Sequence, residues 1–130
     1  MNRYDFNVSF SSQNCNSLNV STSVRNQASK IVSILNLDSD IIFLSDVRLN
    51  GKNKTISDAF RLKYKMYCHS SLNRRGVAIL VRNDLDLQVL EEVRDLQENV
   101  LLMRVQLCNS VVLIGSVYGP NTNEFSFCVT

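Results

Sequence analysis

The sequence predicts an α/β protein in which two sheets stack face to face and helices pack outside them. Three observations carry this. Two runs, Ile41-Ile42-Phe43-Leu44 and Val77-Ala78-Ile79-Leu80-Val81, are apolar at every position, and because strand side chains alternate between faces, both faces of each run must be covered. A segment with the period of an amphipathic helix precedes the first run. From residue 64 onward only strand-length segments follow, separated by turn residues. At 130 residues the chain amounts to one domain or part of one, and 45% hydrophobic content with a single Pro describes a folded body.

Residues 8–14 alternate apolar with small polar side chains and read as a first strand, which Cys15-Asn16-Ser17-Leu18-Asn19 turns into a loop. Ser21, Thr22 or Ser23 can cap a helix whose apolar positions are Val24, Ala28, Ile31, Val32 and Leu35, with Arg25, Gln27 and Lys30 outside. It ends near Asn36, and Asp38-Ser39-Asp40 turns into the first apolar run. Strand, helix and buried strand make a βαβ-like opening with the two strands as parallel neighbours. That topology gathers Asn14, Asn16 and Asp46 at one sheet edge.

Residues 50–54 read as a polar surface loop and residues 57–62 as a short amphipathic turn. Tyr64 to Cys68 is a short strand, and His69 reads as a surface loop residue. Asn73-Arg74-Arg75-Gly76 is a turn into the second apolar run. Leu87 to Val93 is a strand, and Leu101, Met103, Val105 and Leu107 share one face of the next. Asn109-Ser110 closes a hairpin into a strand from Val111 to Val117.

The net charge of +2 conceals a division. Residues 24–82 hold eleven Lys and Arg against four Asp, a net of +7, whereas residues 83–130 hold two Arg against seven acids, a net of −5. A basic half is the footprint of a polyanionic partner, or else a solvated surface of mixed sign. The four cysteines form no C-x-x-C pair, so no zinc site or disulfide framework is signalled. No apolar run approaches membrane-span length and no leader pattern opens the chain, so a soluble intracellular protein without membrane partners is expected.

Asp46 follows a rigid buried strand, a position that suits a metal ligand and suits a turn-forming Asp as well. Asn14 and Asn16 are also good turn residues, and Tyr118-Gly119-Pro120-Asn121 is good turn chemistry. Arg48, Arg74 and Arg75 can grip phosphates, though Arg74 and Arg75 can also simply solubilise a hairpin.

Four segments in order carry a resemblance: Asn14-Cys15-Asn16-Ser17-Leu18, Asp40 through Leu49, Arg75 through Val81, and Val117-Tyr118-Gly119-Pro120-Asn121. Together the chain resembles the endonuclease/exonuclease/phosphatase superfamily, and looks most like the endonuclease of non-LTR retrotransposons, kin of apurinic/apyrimidinic endonucleases. The resemblance covers nearly all of residues 1–130 but only about the first half of that family's domain. It implies a four-layered α/β sandwich, truncated to about its first half, that hydrolyses phosphodiesters with Mg²⁺ or Mn²⁺ and acts on DNA inside the cell, the nucleus included.

By the same resemblance Asn14 and Asn16 lie near metal and phosphate, with Asn16 and Asp46 on the metal. Tyr118 approaches the scissile phosphate and Asn121 orients its loop, so Asn14, Tyr118 and Asn121 form the catalytic set; on charge and phosphate chemistry alone, Arg48, Arg74 and Arg75 are the expected nucleic-acid-binding residues. Asp46 stands where the family carries Glu, and Ser45 where it carries Gln. The family's later Asp-x-Asn and Ser-Asp-His have no counterpart in residues 1–130. The sequence therefore predicts a fragment inactive on its own, with an exposed apolar face and unpaired strand edges. A degenerate remnant that binds nucleic acid weakly, or a phosphatase of the same superfamily, are the alternatives.

Overall fold

A computed structural model of the chain describes residues 7–18, 24–49, 54–71, 75–118 and 125–129, with the backbone alone for residues 24, 25, 54, 55 and 125–129. The helix caps Ser21, Thr22 and Ser23, the loop at 50–53, Asn73, Arg74, Pro120 and Asn121 lie outside the described residues.

The first sheet holds β1 (Phe10–Asn14), β2 (Ile41–Ser45), β3 (Tyr64–His69) and β4 (Val77–Arg82) in the order β1-β2-β4-β3. As the βαβ reading requires, β1 and β2 are parallel, with Asn14 opposite Ser45; the other two pairings are antiparallel. The second sheet is β5 (Leu87–Arg94), β6 (Val100–Leu107), β7 (Ser110–Val117) and β8 (Phe125–Val129) in chain order, all antiparallel. Two helices, α1 (Val24–Leu35) and α2 (Lys54–Phe60), join the strands of the first sheet. The hairpin from β6 to β7 turns at Cys108-Asn109, one residue earlier than its composition suggests, with Cys108 in the left-handed region.

Both central strands are buried along their length, as continuous apolar runs must be. Their alternate residues feed two cores. Ile42, Leu44, Ala78 and Leu80 pack with Ile34, Ile56 and Phe60 beneath the helices. Ile41, Phe43, Val77, Ile79 and Val81 face Leu101, Met103, Val105, Leu107, Val112 and Ile114 across the gap between the sheets. The described residues thus form three layers, helices, sheet and sheet, and no described helix covers the far face of the second sheet. None of the described helices is long and apolar enough to cross a membrane. The basic part of the sequence, through Arg82, builds the helices and the first sheet; the acidic part that follows builds the second.

Helix α1 presents a different face from the one its apolar spacing suggests. Gln27 and Ile34 are buried, whereas Ala28 and Val32 are exposed. The inward stripe runs through the buried Gln27 and Ile34 and the half-buried Lys30 and Ile31, an i, i+3, i+4, i+7 series. Its polar members reach carbonyls of the 16–18 segment: Gln27 Nε2 donates to the Leu18 carbonyl at 2.8 Å, and Lys30 Nζ to those of Asn16 and Ser17 at 2.7 and 2.8 Å.

Candidate active-site rim

One end of the sandwich collects most of the residues singled out by chemistry. Asn14, Ser45, Val77 and His69 form a single row across the first sheet at the ends of its strands. Beyond that row the chain keeps bonding although the strands have ended. Cys15 N donates to Ser45 O at 2.8 Å, Ser17 N to Asp46 O at 2.8 Å and Leu18 N to Val47 O at 2.9 Å, while Arg48 N donates to Arg75 O at 2.8 Å. The segments 15–18, 46–49 and 75–76 are therefore laced side by side into a rim.

Asn16, Ser17, Asp46 and Arg48 all have positive φ, between 50° and 75°, a conformation that non-glycine residues adopt only where the surroundings hold them. Here the lacing holds them. The strand gives way to the expected loop at Asn14, whose side-chain Oδ1 accepts from the Asn16 backbone N at 2.9 Å and closes a tight Asx turn. Asn16 is exposed as a result.

Asp46 is 7% exposed. Its Oδ1 accepts from Arg48 Nε at 2.9 Å. The Cys15 thiol beside it is pushed up to about 12 by burial, with the negative charge of Asp46 adding to the effect, so Cys15 is an inert packing thiol.

Tyr118 reaches the rim from the second sheet. Ser116, buried near the end of β7, donates its hydroxyl to the Leu44 carbonyl at 2.9 Å and so ties β7 to β2 directly. Two residues on, Tyr118 packs against the inter-sheet core, its N donates to Asn99 O at 2.8 Å, and the Arg75 guanidinium lies 4.9 Å from its ring centroid. That distance is a cation–π contact. Asn14, Asn16, Asp46, Arg48, Arg75 and Tyr118 thus stand on one rim, while Arg74 and Asn121 lie outside the described residues.

His69 departs from its reading as a surface loop residue. It ends β3 with a side chain 15% exposed, and Nε2 lies 2.7 Å from the Asp95 carbonyl and 3.3 Å from its Oδ1. Asp95 Oδ1 also accepts from the backbone N of Asn99 and Val100 at 3.0 and 2.9 Å. Burial alone would raise the Asp95 pKa, but the Val100 and Asn99 N–H groups and His69 outweigh it and leave the carboxyl below its ordinary value. Asp38, held chiefly by its hydrogen bond from Arg82, is lowered as well. A carboxylate with a folded pKa below its unfolded one contributes fully above the unfolded value, and that contribution is lost as pH falls through the folded value. Acid titration followed by circular dichroism is therefore expected to show stability falling below about pH 4, with Asp95→Asn losing less over that range than the parent.

A hard divalent cation suits this donor set. It needs only one or two carboxylates and otherwise keeps its waters; Asp46 supplies one, its Oδ2 without a hydrogen bond among the described residues, and Asn16 an amide oxygen nearby in the fold. The described residues contain no group of three or more His, Cys, Asp or Glu side chains that could hold a metal alone. Lys30, Ser70, Ser116, His69 and Asp95 are rim-building residues that the sequence reading did not select.

The sequence matches no protein-family model and no curated protein. In three dimensions the arrangement is a mixed α/β fold of two stacked sheets and two helices. It is shared with solved structures of TDP2. Truncated Caenorhabditis elegans TDP2 superposes with a TM-score of 0.65 at 18% identity, over 88% of this chain and 47% of that one. A humanized D. rerio TDP2 gives 0.62 at 14% identity, over 88% and 49%. D. rerio TDP2 complexed with a single-strand DNA product gives 0.58 at 18% identity, over 88% and 48%. At these identities the likeness is one of fold, and the chain spans about half the length of the structures it matches.

Proposed function

We propose that the chain forms one side of a divalent-cation-dependent phosphodiesterase site acting on DNA, of the retroelement endonuclease type. The observation that carries the reading is the convergence of an acid, two amides, two arginines and a phenol on one rim, assembled from both sheets. The fold it shares with TDP2, one structure of which holds a single-strand DNA product, supports DNA as the partner. In this reading the far face of the second sheet is covered by a fourth layer supplied by the remaining half of the domain.

Asp46 and Asn16 would hold Mg²⁺ or Mn²⁺, which when bound neutralises charge on a phosphate as it becomes five-coordinate. The guanidinium groups of Arg48 and Arg75 bind phosphate oxygens and fix the register of the strand without reading its sequence. Tyr118 donates its hydroxyl to a phosphate oxygen, and Arg75 against its ring limits how far the phenol can swing. Asn14 holds the turn that presents Asn16. Lys30 donates to two carbonyls of that turn and braces it from α1.

In this reading the attacking water is activated by residues of the remaining half of the domain. Residues 1–130 are accordingly expected to bind a single-stranded oligonucleotide in a salt-sensitive manner and not to nick supercoiled plasmid in Mg²⁺. Arg75→Ala should weaken the binding and reduce the slope of log K against log salt by about 0.7, read by fluorescence anisotropy. Nicking by residues 1–130 that Asp46→Ala abolishes would overturn the half-site reading. Binding indifferent to salt and to Arg75→Ala would remove nucleic acid as the partner.

A further inference from the structure

We propose that Arg48 couples cation binding to phosphate binding at the rim: its guanidinium holds Asp46 while no dication is present, and is released toward a phosphate when one binds. This rests on the reading of Asp46 as the cation ligand. A carboxylate as buried as Asp46 is costly without a compensating charge, and Arg48, two residues along, supplies it through a single donor, Nε at 2.9 Å. The pair is not the two-bond fork that makes arginine–carboxylate contacts hard to replace. The Arg48 side chain is 40% exposed, and its guanidinium makes no other hydrogen bond among the described residues.

The backbone around the pair does not depend on it. Asp46, Val47 and Arg48 are bonded on one side to Ser17 and Leu18 and on the other to Gly76 and Arg75, and Val47 between them is fully buried. The guanidinium can therefore leave without the turn rearranging. A dication and a guanidinium on one carboxylate repel each other, and the doubly charged ion has the stronger attraction at equal distance. Released, Arg48 remains next to Arg75 along the backbone bond, on the side where Tyr118 stands. Each ligand then lowers the cost of binding the other, as reciprocal coupling demands.

The experiment measures Mn²⁺ binding calorimetrically to residues 1–130 and to Arg48→Gln, Arg48→Lys and Asp46→Asn, with folding checked by circular dichroism. Arg48→Gln is expected to bind Mn²⁺ about tenfold more tightly than the parent, and Arg48→Lys, which keeps the charge but not the Nε donor, about threefold. Asp46→Asn should lose the site. If Asp46→Asn loses binding while both Arg48 variants match the parent, the coupling is wrong and the cation reading stands. Asp46→Asn that binds as well as the parent, or no binding by any protein, overturns both. Should Arg48→Gln not fold, Arg48→Lys decides: affinity equal to the parent's rejects the coupling.

Discussion

Phe43→Ala is expected to remove about 3–5 kcal/mol of stability, the largest loss from any single rim-supporting side chain. Phe43 is 1% exposed at the middle of β2, on the face turned toward the second sheet, and its ring stacks on Phe10 with centroids 6.2 Å apart. Deleting the ring leaves a void between two sheets, neither of which can close on it without breaking its own ladder. Domains of this size have about 5–15 kcal/mol in all, so the loss is a large share of the total. Leu44, next in sequence, accepts the bond from Ser116 that brings Tyr118 to the rim, and DNA binding should weaken along with folding. Urea denaturation gives the measurement; a loss below about 1 kcal/mol would mean that the sheets do not pack through Phe43.

Gly76→Ala is expected to cost about 2–4 kcal/mol, combining left-handed strain with a steric clash. Gly76 has φ of 73°, and a Cβ there would lie 2.1 Å from Ser70 Oγ, 2.3 Å from its Cβ and 2.8 Å from its Cα. A hydroxyl can rotate away, but the Cα belongs to backbone. The hydroxyl is also in use, accepting from Leu49 N at 2.9 Å, so displacing it removes one of the bonds that hold the 46–49 segment on the side away from β1. Gly76→Ala/Ser70→Gly should recover part of the loss, leaving mainly the dihedral strain, and a double-mutant cycle on denaturation midpoints separates the two. Equal stability of Gly76→Ala and the parent would show that the close approach to Ser70 is not a constraint.

What could be read in the sequence was whatever repeats locally. Continuous apolar runs fix β2 and β4 as central, the alternation of Leu101, Met103, Val105 and Leu107 fixes the inward face of β6, and the strand–helix–strand order fixes the parallel pairing that gathers Asn14, Asn16 and Asp46. Polar side chains that serve distant carbonyls leave no period to detect. Gln27 and Lys30 look like solvent residues on α1 until the 15–18 segment is in place. His69 looks like a loop residue until Asp95, 26 positions away, arrives from the other sheet. The contact of Arg75 with Tyr118 likewise depends on how two sheets lie over each other, which no pattern within either sheet encodes. Asp46 was found by its place after a buried strand, but its engagement with Arg48 follows from two left-handed residues, and nothing in Ser-Asp-Val-Arg announces those.

Because the chain through Arg82 carries the positive excess and the chain beyond it the negative one, the layers are charged like the plates of a capacitor. Such a body feels a torque as well as a pull in the field of a polyanion. On the proposed reading of a nucleic-acid partner, that torque acts within a Debye length of about 8 Å at physiological salt and turns the acidic second sheet away from the strand. A strand approaching from that side meets like charge.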